Sequence, residues 1–276
     1  MSVRLGVFDM DGTAYRNSLT IDLLDRLRAM GLLGHVNFYK VDEAKRRWKN
    51  REGDDTYETY LQELVRLLES GIFRVPVDVV SAICDQIVSE QGQQLYEFTR
   101  ELIATLRELG YTLIAISGSP KPIVEAFVRP LGFHQVYATE YEVQKGRYTG
   151  KITALPVNDK AAVLRSLLLE YQASDQDLIT VGDTLSDYGM LNLSRYAIAF
   201  NPSRALTHRV RQDRAGTTWR SLGVVIQRKD NITIATFHDN CYSGSRLVEV
   251  NLNRILPLDV ADRLANRLGE LYQYGA

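Results

Sequence analysis

The chain opens on alternation: Val3, Leu5 and Val7 fall on one side of an extended segment, and Asp9 follows at its carboxyl end. That two-residue period predicts a strand. From residue 18 to 30 the period lengthens to that of a helix, closed by Gly31. Further helices are expected at 42–52, at 54–70 before Gly71, and from Pro76 onwards. In the middle one Tyr57, Tyr60, Leu61, Leu64, Leu67 and Leu68 recur at helical spacing and make one apolar face. Nothing between 15 and 93 reads as a strand.

From residue 94 the pattern alternates. "LYEFTRELIATLRELG" precedes "YTLIAIS", "KPIVEAFVRPLG" precedes "VYATE", "DKAAVLRSLLLEY" precedes "DLITVGD", and a short helix precedes "YAIAF". "EVQKGRYTGKI" predicts a hairpin turning at Lys145-Gly146. Strands separated by helices predict an α/β fold: a doubly wound, mostly parallel Rossmann-like sheet with ligands at the carboxyl ends of its strands. The expected layout is a core from 1–14 and 94–215, with a helical insertion at 15–93. Residues 216–276 form a C-terminal extension packed on the core, with "LGVVIQ" and "ITIATFH" as candidate strands. Its last helix carries Val260, Leu264, Leu268 and Leu271 on one side. Such a face is usually buried in its own chain; the other reading is a homodimer through this extension.

Composition adds mainly exclusions. The formal net charge is -1, which gives no global attraction to nucleic acid or to an anionic membrane. An anionic ligand must then be held by local positive charge. Cys84 and Cys241 match no metal or redox spacing, and Cys84, between Ile83 and Ile87, reads as a small buried apolar residue. The first strand leaves no room for a signal peptide and no apolar run reaches membrane-spanning length, so a soluble cytoplasmic protein is expected.

The chemistry begins with "VFDMDGTAY", which sets Asp9 and Asp11 one residue apart at a strand end. Carboxylates that close repel unless a positive charge offsets them. Three more features fall at strand ends or helix starts: Ser117-Gly118 in "IAISGSP", Lys160 in "NDKAAVL", and Asp183 with Asp187 in "TVGDTLSD". Carboxylates, a hydroxyl and an ammonium on one rim describe a site for a hard divalent cation and a phosphoryl group. Asp9 and Asp183 are the natural carboxylate ligands for Mg2+. Side chains alternate along the strand end, so Asp11 is expected to point elsewhere, to offer the metal its main-chain carbonyl, and to be free for proton transfer. Gly12 permits a tight turn whose amides, with the Thr13 hydroxyl, can meet phosphate oxygens.

Taken together these motifs resemble the haloacid dehalogenase superfamily of aspartyl-phosphate hydrolases. "DMDGT" matches its first motif, Ser117 its second, Lys160 its third and "GDTLSD" its fourth. The hairpin and the spacing from Lys160 to Asp183 are most similar to the phosphoserine-phosphatase-like branch, in which the insertion is a helical cap domain. The resemblance implies a Mg2+-dependent phosphatase acting on a small phosphorylated metabolite. Asp9 is then the nucleophile and Asp11 the general acid and base. Mg2+ would be held by Asp9, the Asp11 carbonyl and Asp183, with the phosphate at Gly12, Thr13, Ser117, Gly118 and Lys160, and Asp187 orienting the metal's surroundings. Lys160 would also restrain Asp9. In true phosphoserine phosphatases a glutamate soon after the first motif meets the substrate amine; Ser18 stands at that place here. Tyr15 either touches substrate or packs under the cap. Arg46, Arg47 and Arg51, with Lys45 and Lys49, either meet an anionic substrate tail or form a solvated helix face. A phosphomutase on the same residues and a catalytically silent binding protein stay open as alternatives.

Overall fold

A computed structural model describes residues 3–34, 36–50, 52, 56–91, 94–212, 222–238 and 246–273. Its strands are β1 (Leu5–Phe8), β2 (Thr112–Pro120), β3 (Gln135–Gln144), β4 (Arg147–Ala154), β5 (Leu178–Gly182), β6 (Tyr196–Phe200), β7 (Leu222–Arg228), β8 (Asn231–His238) and β9 (Arg246–Glu249). Helices α1 (Leu19–Ala29), α2 (Tyr39–Lys49), α3 (Thr56–Gly71) and α4 (Val77–Gln91) lie between β1 and α5 (Glu97–Glu108). The others are α6 (Lys121–Val128), α7 (Lys160–Glu170), α8 (Tyr188–Leu191), α9 (Arg204–Gln212) and α10 (Leu258–Gln273).

The nine strands form one sheet in the order β4-β3-β2-β1-β5-β6-β7-β8-β9. Neighbours from β3 through β7 run parallel, while β4, β8 and β9 join antiparallel. All of β1 is buried, because both faces of the sheet are covered. Leu5 and Val7 pack with Ile114, Ile116, Leu164, Leu167 and Met190 on one side; Phe8 joins Ala115, Leu102 and Leu106 on the other. The doubly wound sheet expected from the alternation is therefore present. It extends past the expected core, since β7 continues the parallel run beside β6.

Helices form between β1 and α5 where the periodicity predicts them, although α2 runs Tyr39–Lys49 rather than 42–52. Tyr60, Leu64, Leu67 and Leu68 are buried, and Trp48 stacks on Tyr60 with ring centroids 5.4 Å apart. Between β3 and β4 the chain turns through Lys145 (φ 51) and Gly146 (φ 73), with Gln144 paired to Arg147. Two positive φ values in a two-residue loop match the twist of the flanking strands.

The C-terminal segment is tied into the core at specific atoms. The first turn of α5 lacks a capping side chain of its own, and the Phe98 amide donates instead to Gln227 Oε1 of β7 at 3.0 Å. The Gln227 amide donates to Asn201 Oδ1 at 2.9 Å, in the loop after β6. Helix α10 lies on α5 with Val260 and Leu264 buried, and its Arg263 and Arg267 pair with Glu108 and Glu101. Its apolar face is thus covered within the chain; the side chain of Leu271 lies outside the described residues, as does Cys241.

Candidate active site

Parallel strands end together, and the ends of β1, β2 and β5 are adjacent in the sheet. The loop after β1 winds tightly about one carbonyl: Met10 O accepts from Thr13 N, Ala14 N and Tyr15 N at 3.3, 3.0 and 2.8 Å. Gly12 sits at φ 80, and a Cβ there would collide with Asp183 Oδ2. Glycine is required both by the backbone angle and by this approach of the β5 loop.

At the rim, one carboxylate oxygen from each of Asp9, Asp183 and Asp187 lies within 4.8 Å of the others. Lys160, 2 % exposed at the start of α7, donates to Asp9 Oδ1 and to Asp187 Oδ1, the latter at 2.7 Å. The second oxygen of Asp187 accepts from Asp183 N, Thr184 N and Thr184 Oγ1 at 3.1, 2.9 and 3.1 Å. Both Asp187 oxygens are therefore engaged, and the residue braces the loop and the lysine. Asp183 Oδ1 accepts from Thr13 Oγ1 at 3.2 Å. The remaining oxygens of Asp9 and Asp183 carry no hydrogen bond among the described residues.

The electrostatics follow from burial. Loss of water pushes the Asp9 carboxyl above its ordinary range; Lys160 pulls it back, while Asp187 and Asp11 add repulsion. Asp183 is raised well above the usual value by burial and then by Asp9 and Asp187. For Lys160 burial opposes the charge, but the Asp187 and Asp9 carboxylates outweigh it and hold the ammonium above its ordinary value. One ammonium among three carboxylates leaves negative charge uncompensated. An oxygen-only donor set with that excess fits a hard divalent cation.

Asp11 is turned away from this cluster. Its Oδ1 accepts from Leu19 N at 2.5 Å, and its Oδ2 from Ser119 Oγ at 2.6 Å and Ser117 Oγ at 3.2 Å. Burial raises the group, and the Ser119, Leu19 and Ser117 donors offset part of that rise. One expectation needs correction here. The amides of Gly12 and Thr13 do not face outward for a phosphate, being bonded to Tyr15 O at 2.8 Å and Met10 O at 3.3 Å. The Ser117 hydroxyl points at Asp11, and the Gly118 carbonyl accepts from Thr139 Oγ1 at 2.6 Å.

The insertion residues fare differently. Tyr15 is buried, its hydroxyl set between Asp22 and Gln91 at 2.6 and 2.8 Å and its ring against Phe127. That is the packing alternative. Arg46 is half exposed and bound to Glu43 and Glu52, and Arg47 approaches Glu52 at 4.0 Å. These pairs form the solvated helix face rather than part of the carboxylate site; Arg51 lies outside the described residues. Sequence reasoning missed Ser119 and Thr20, which join Asp11 through hydroxyls, and Gly182, whose missing side chain makes room for Asp187. The glycine's place just before Asp183 was the one available signal.

A family model described as haloacid dehalogenase-like hydrolase matches residues 7–192, from β1 to just beyond α8. The chain belongs to this family. Among haloacid dehalogenase-like hydrolases it is similar to a phosphoserine phosphatase of Archaeoglobus fulgidus, at 28% identity over 74% of this chain and 54% of the relative. It is 30% identical to one from Mycobacterium tuberculosis, over 74% of this chain and 45% of that protein. The chain thus spans about half the length of these curated relatives. A phosphoserine phosphatase of Methanocaldococcus jannaschii matches at 26% identity over 71% of the chain and 85% of its own length. A solved phospho-aspartyl intermediate analogue of phosphoserine phosphatase shares the fold with a TM-score of 0.53 at 22% identity, covering 76% of this chain and 91% of that one. The family frame thus spans the strand ends that carry Asp9, Ser117 and Asp183 and the start of α7 that carries Lys160. Among the described residues no helix is long and apolar enough to cross a membrane.

Proposed function

We propose that this haloacid dehalogenase-like hydrolase is a Mg2+-dependent phosphatase that cleaves a small-molecule phosphate monoester through an aspartyl-phosphate on Asp9. One observation carries the reading: Asp9, Asp183 and Asp187 converge at one point, with buried Lys160 bonded to Asp9 and Asp187, while Asp11, two residues along from Asp9, is held apart on hydroxyl donors. The first group suits a nucleophile beside a cation; the second suits proton transfer.

In this reading Lys160 fixes the direction of Asp9 by holding one of its oxygens. An Asp9 oxygen attacks phosphorus as the ester P–O bond breaks, and Asp11 gives its proton to the leaving oxygen. Asp11 then takes a proton from water, which attacks the same phosphorus, releasing inorganic phosphate and restoring Asp9. Asp9, Asp183 and the Asp11 carbonyl would hold Mg2+, which supplies charge neutralisation for the phosphoryl oxygens when bound. Asp187 keeps Lys160 and the Asp183 loop in register. Asp9 is only 6 % exposed, so we read residues 15–93 as a cap that must open for substrate. The relatives' name points to phosphoserine. Ser18 stands where that substrate's amine would meet a glutamate, and it favours an ester without that amine.

The test is release of inorganic phosphate from a panel of metabolite monoesters and p-nitrophenyl phosphate with Mg2+. Turnover is expected, Asp9→Asn should abolish it, and product analysis should find free phosphate rather than an isomeric phosphate ester. Full activity in Asp9→Asn would refute the nucleophile, and an isomerised product would establish the mutase alternative.

A further inference from the structure

The hydroxyls of Ser119 and Thr20 belong to no motif, yet both are buried, at 2 % and 6 % exposure, Ser119 against Asp11 and Thr20 against Ser119. Ser119 Oγ lies 2.6 Å from Asp11 Oδ2, 2.7 Å from Thr20 Oγ1 and 3.1 Å from the Thr20 amide. A hydroxyl has one proton and two lone pairs. The carboxylate is the stronger acceptor, so Ser119 gives its proton to Asp11. The Thr20 amide can only donate, and the Thr20 hydroxyl must then donate as well. This fixes a one-way chain: Thr20 O–H to Ser119, Ser119 O–H to Asp11. Every site on the serine is filled.

The three residues come from three places. Asp11 follows β1, Ser119 ends β2, and Thr20 lies in the first turn of α1, within the helical insertion. Leu19, beside Thr20, donates its amide to the other Asp11 oxygen at 2.5 Å. Ser119 also donates its own amide to Ser117 Oγ at 3.0 Å, which keeps the β2 end in place.

We infer that Ser119 and Thr20 are positioning residues for Asp11, aligning its carboxylate through a hydroxyl relay that is complete only while α1 is docked on the core. This rests on the proposed role of Asp11 as proton donor. It adds that the insertion contributes to the alignment of the acid, besides any part it has in choosing substrate.

A leaving group that departs readily needs little help from a proton, whereas an alkoxide needs a well-placed acid. The experiment compares kcat/KM for p-nitrophenyl phosphate and benzyl phosphate in wild type, Ser119→Ala, Thr20→Val, Thr20→Ser and Asp11→Asn. Loss of the charge-assisted hydrogen bond to Asp11 in Ser119→Ala, or of the neutral hydroxyl donor behind it in Thr20→Val, should lower benzyl phosphate turnover by roughly tenfold or more. The p-nitrophenyl ester should change by no more than about threefold, and Thr20→Ser should restore benzyl phosphate turnover. Thr20→Val keeps shape and the amide donor, so it carries the test if Ser119→Ala fails to fold. Equal losses on both esters would overturn the relay and leave a packing role. If Asp11→Asn itself is indifferent to the leaving group, the proton-donor reading fails instead, and the relay with it.

Discussion

A single methyl group added at Gly182 should act as a wedge under the site. A Cβ built there lies 2.5 Å from both Cβ and Cγ of Asp187, where ordinary contact begins near 3.4 Å. Either the backbone of β5 or the Asp187 side chain must retreat by about 1 Å, and β5 is fixed between β1 and β6. Asp187 is the part that can move, and it holds Lys160 at 2.7 Å. Overpacking costs about 1–3 kcal/mol, and a weakened charge-assisted bond adds about 1.5–3 kcal/mol. A total of about 2.5–6 kcal/mol is expected, a large share of the stability of an ordinary domain. The assay is urea unfolding of Gly182→Ala beside Gly269→Ala, whose Cβ in α10 meets nothing within 4 Å. The second variant should gain about 0.5–1 kcal/mol from helix propensity, so one substitution gives opposite signs at two positions. Phosphatase activity of Gly182→Ala should fall by about 100-fold, since Lys160 would no longer aim Asp9. A loss under about 0.5 kcal/mol with activity retained would refute the reasoning, because a surface change does no more than that.

Three further outcomes follow from the same geometry. Lys160→Met leaves Asp9 and Asp187 buried without their ammonium and should cost about 3–5 kcal/mol at neutral pH, measured by urea unfolding without divalent cation. The deficit should shrink in acid, where Asp9 takes up a proton. Asp9, raised from 3.8 to about 7, and Asp183 hold protons more tightly folded than unfolded. Cation-free stability contributed by these groups is therefore full below the ordinary carboxylate range and falls as pH rises through the folded values. Saturating Mg2+ should reverse that slope in thermal melts, since the cation takes the ionised form; a slope unchanged by Mg2+ would count against the cation site. Gln227→Leu strips the acceptor from the Phe98 amide and should lower the urea midpoint by an amount equal to about 1–2 kcal/mol.

Much of this architecture was legible because it is local. The alternation of Val3, Leu5 and Val7, the Lys145-Gly146 turn and the periodicity of α3 each follow from a few neighbouring residues and were found where expected. The convergence of Asp9, Lys160, Asp183 and Asp187 was also readable, because parallel strands deliver their ends to one rim. Other features depend on distant partners. Ser119 and Thr20 stand 99 residues apart, and neither hydroxyl differs in sequence from an ordinary turn or helix residue. The inward bonding of the Gly12 and Thr13 amides depends on how the loop closes on Met10 and Tyr15, which a motif does not specify. Arg46 drew attention by charge, but its acidic neighbours Glu43 and Glu52 were equally near in sequence and take its guanidinium.

The junction between β6 and β7 has a practical consequence. A protein shortened to the expected core, ending at residue 215, would bare the hydrogen-bonding flank of β6, whose Ala197, Ile198, Ala199 and Phe200 are all buried in the intact chain. An apolar strand with unpaired amides and carbonyls along one side recruits strands from other molecules. Trimming the chain at residue 215 would therefore yield a self-adhesive preparation, and any minimal fragment should be cut beyond β9 instead.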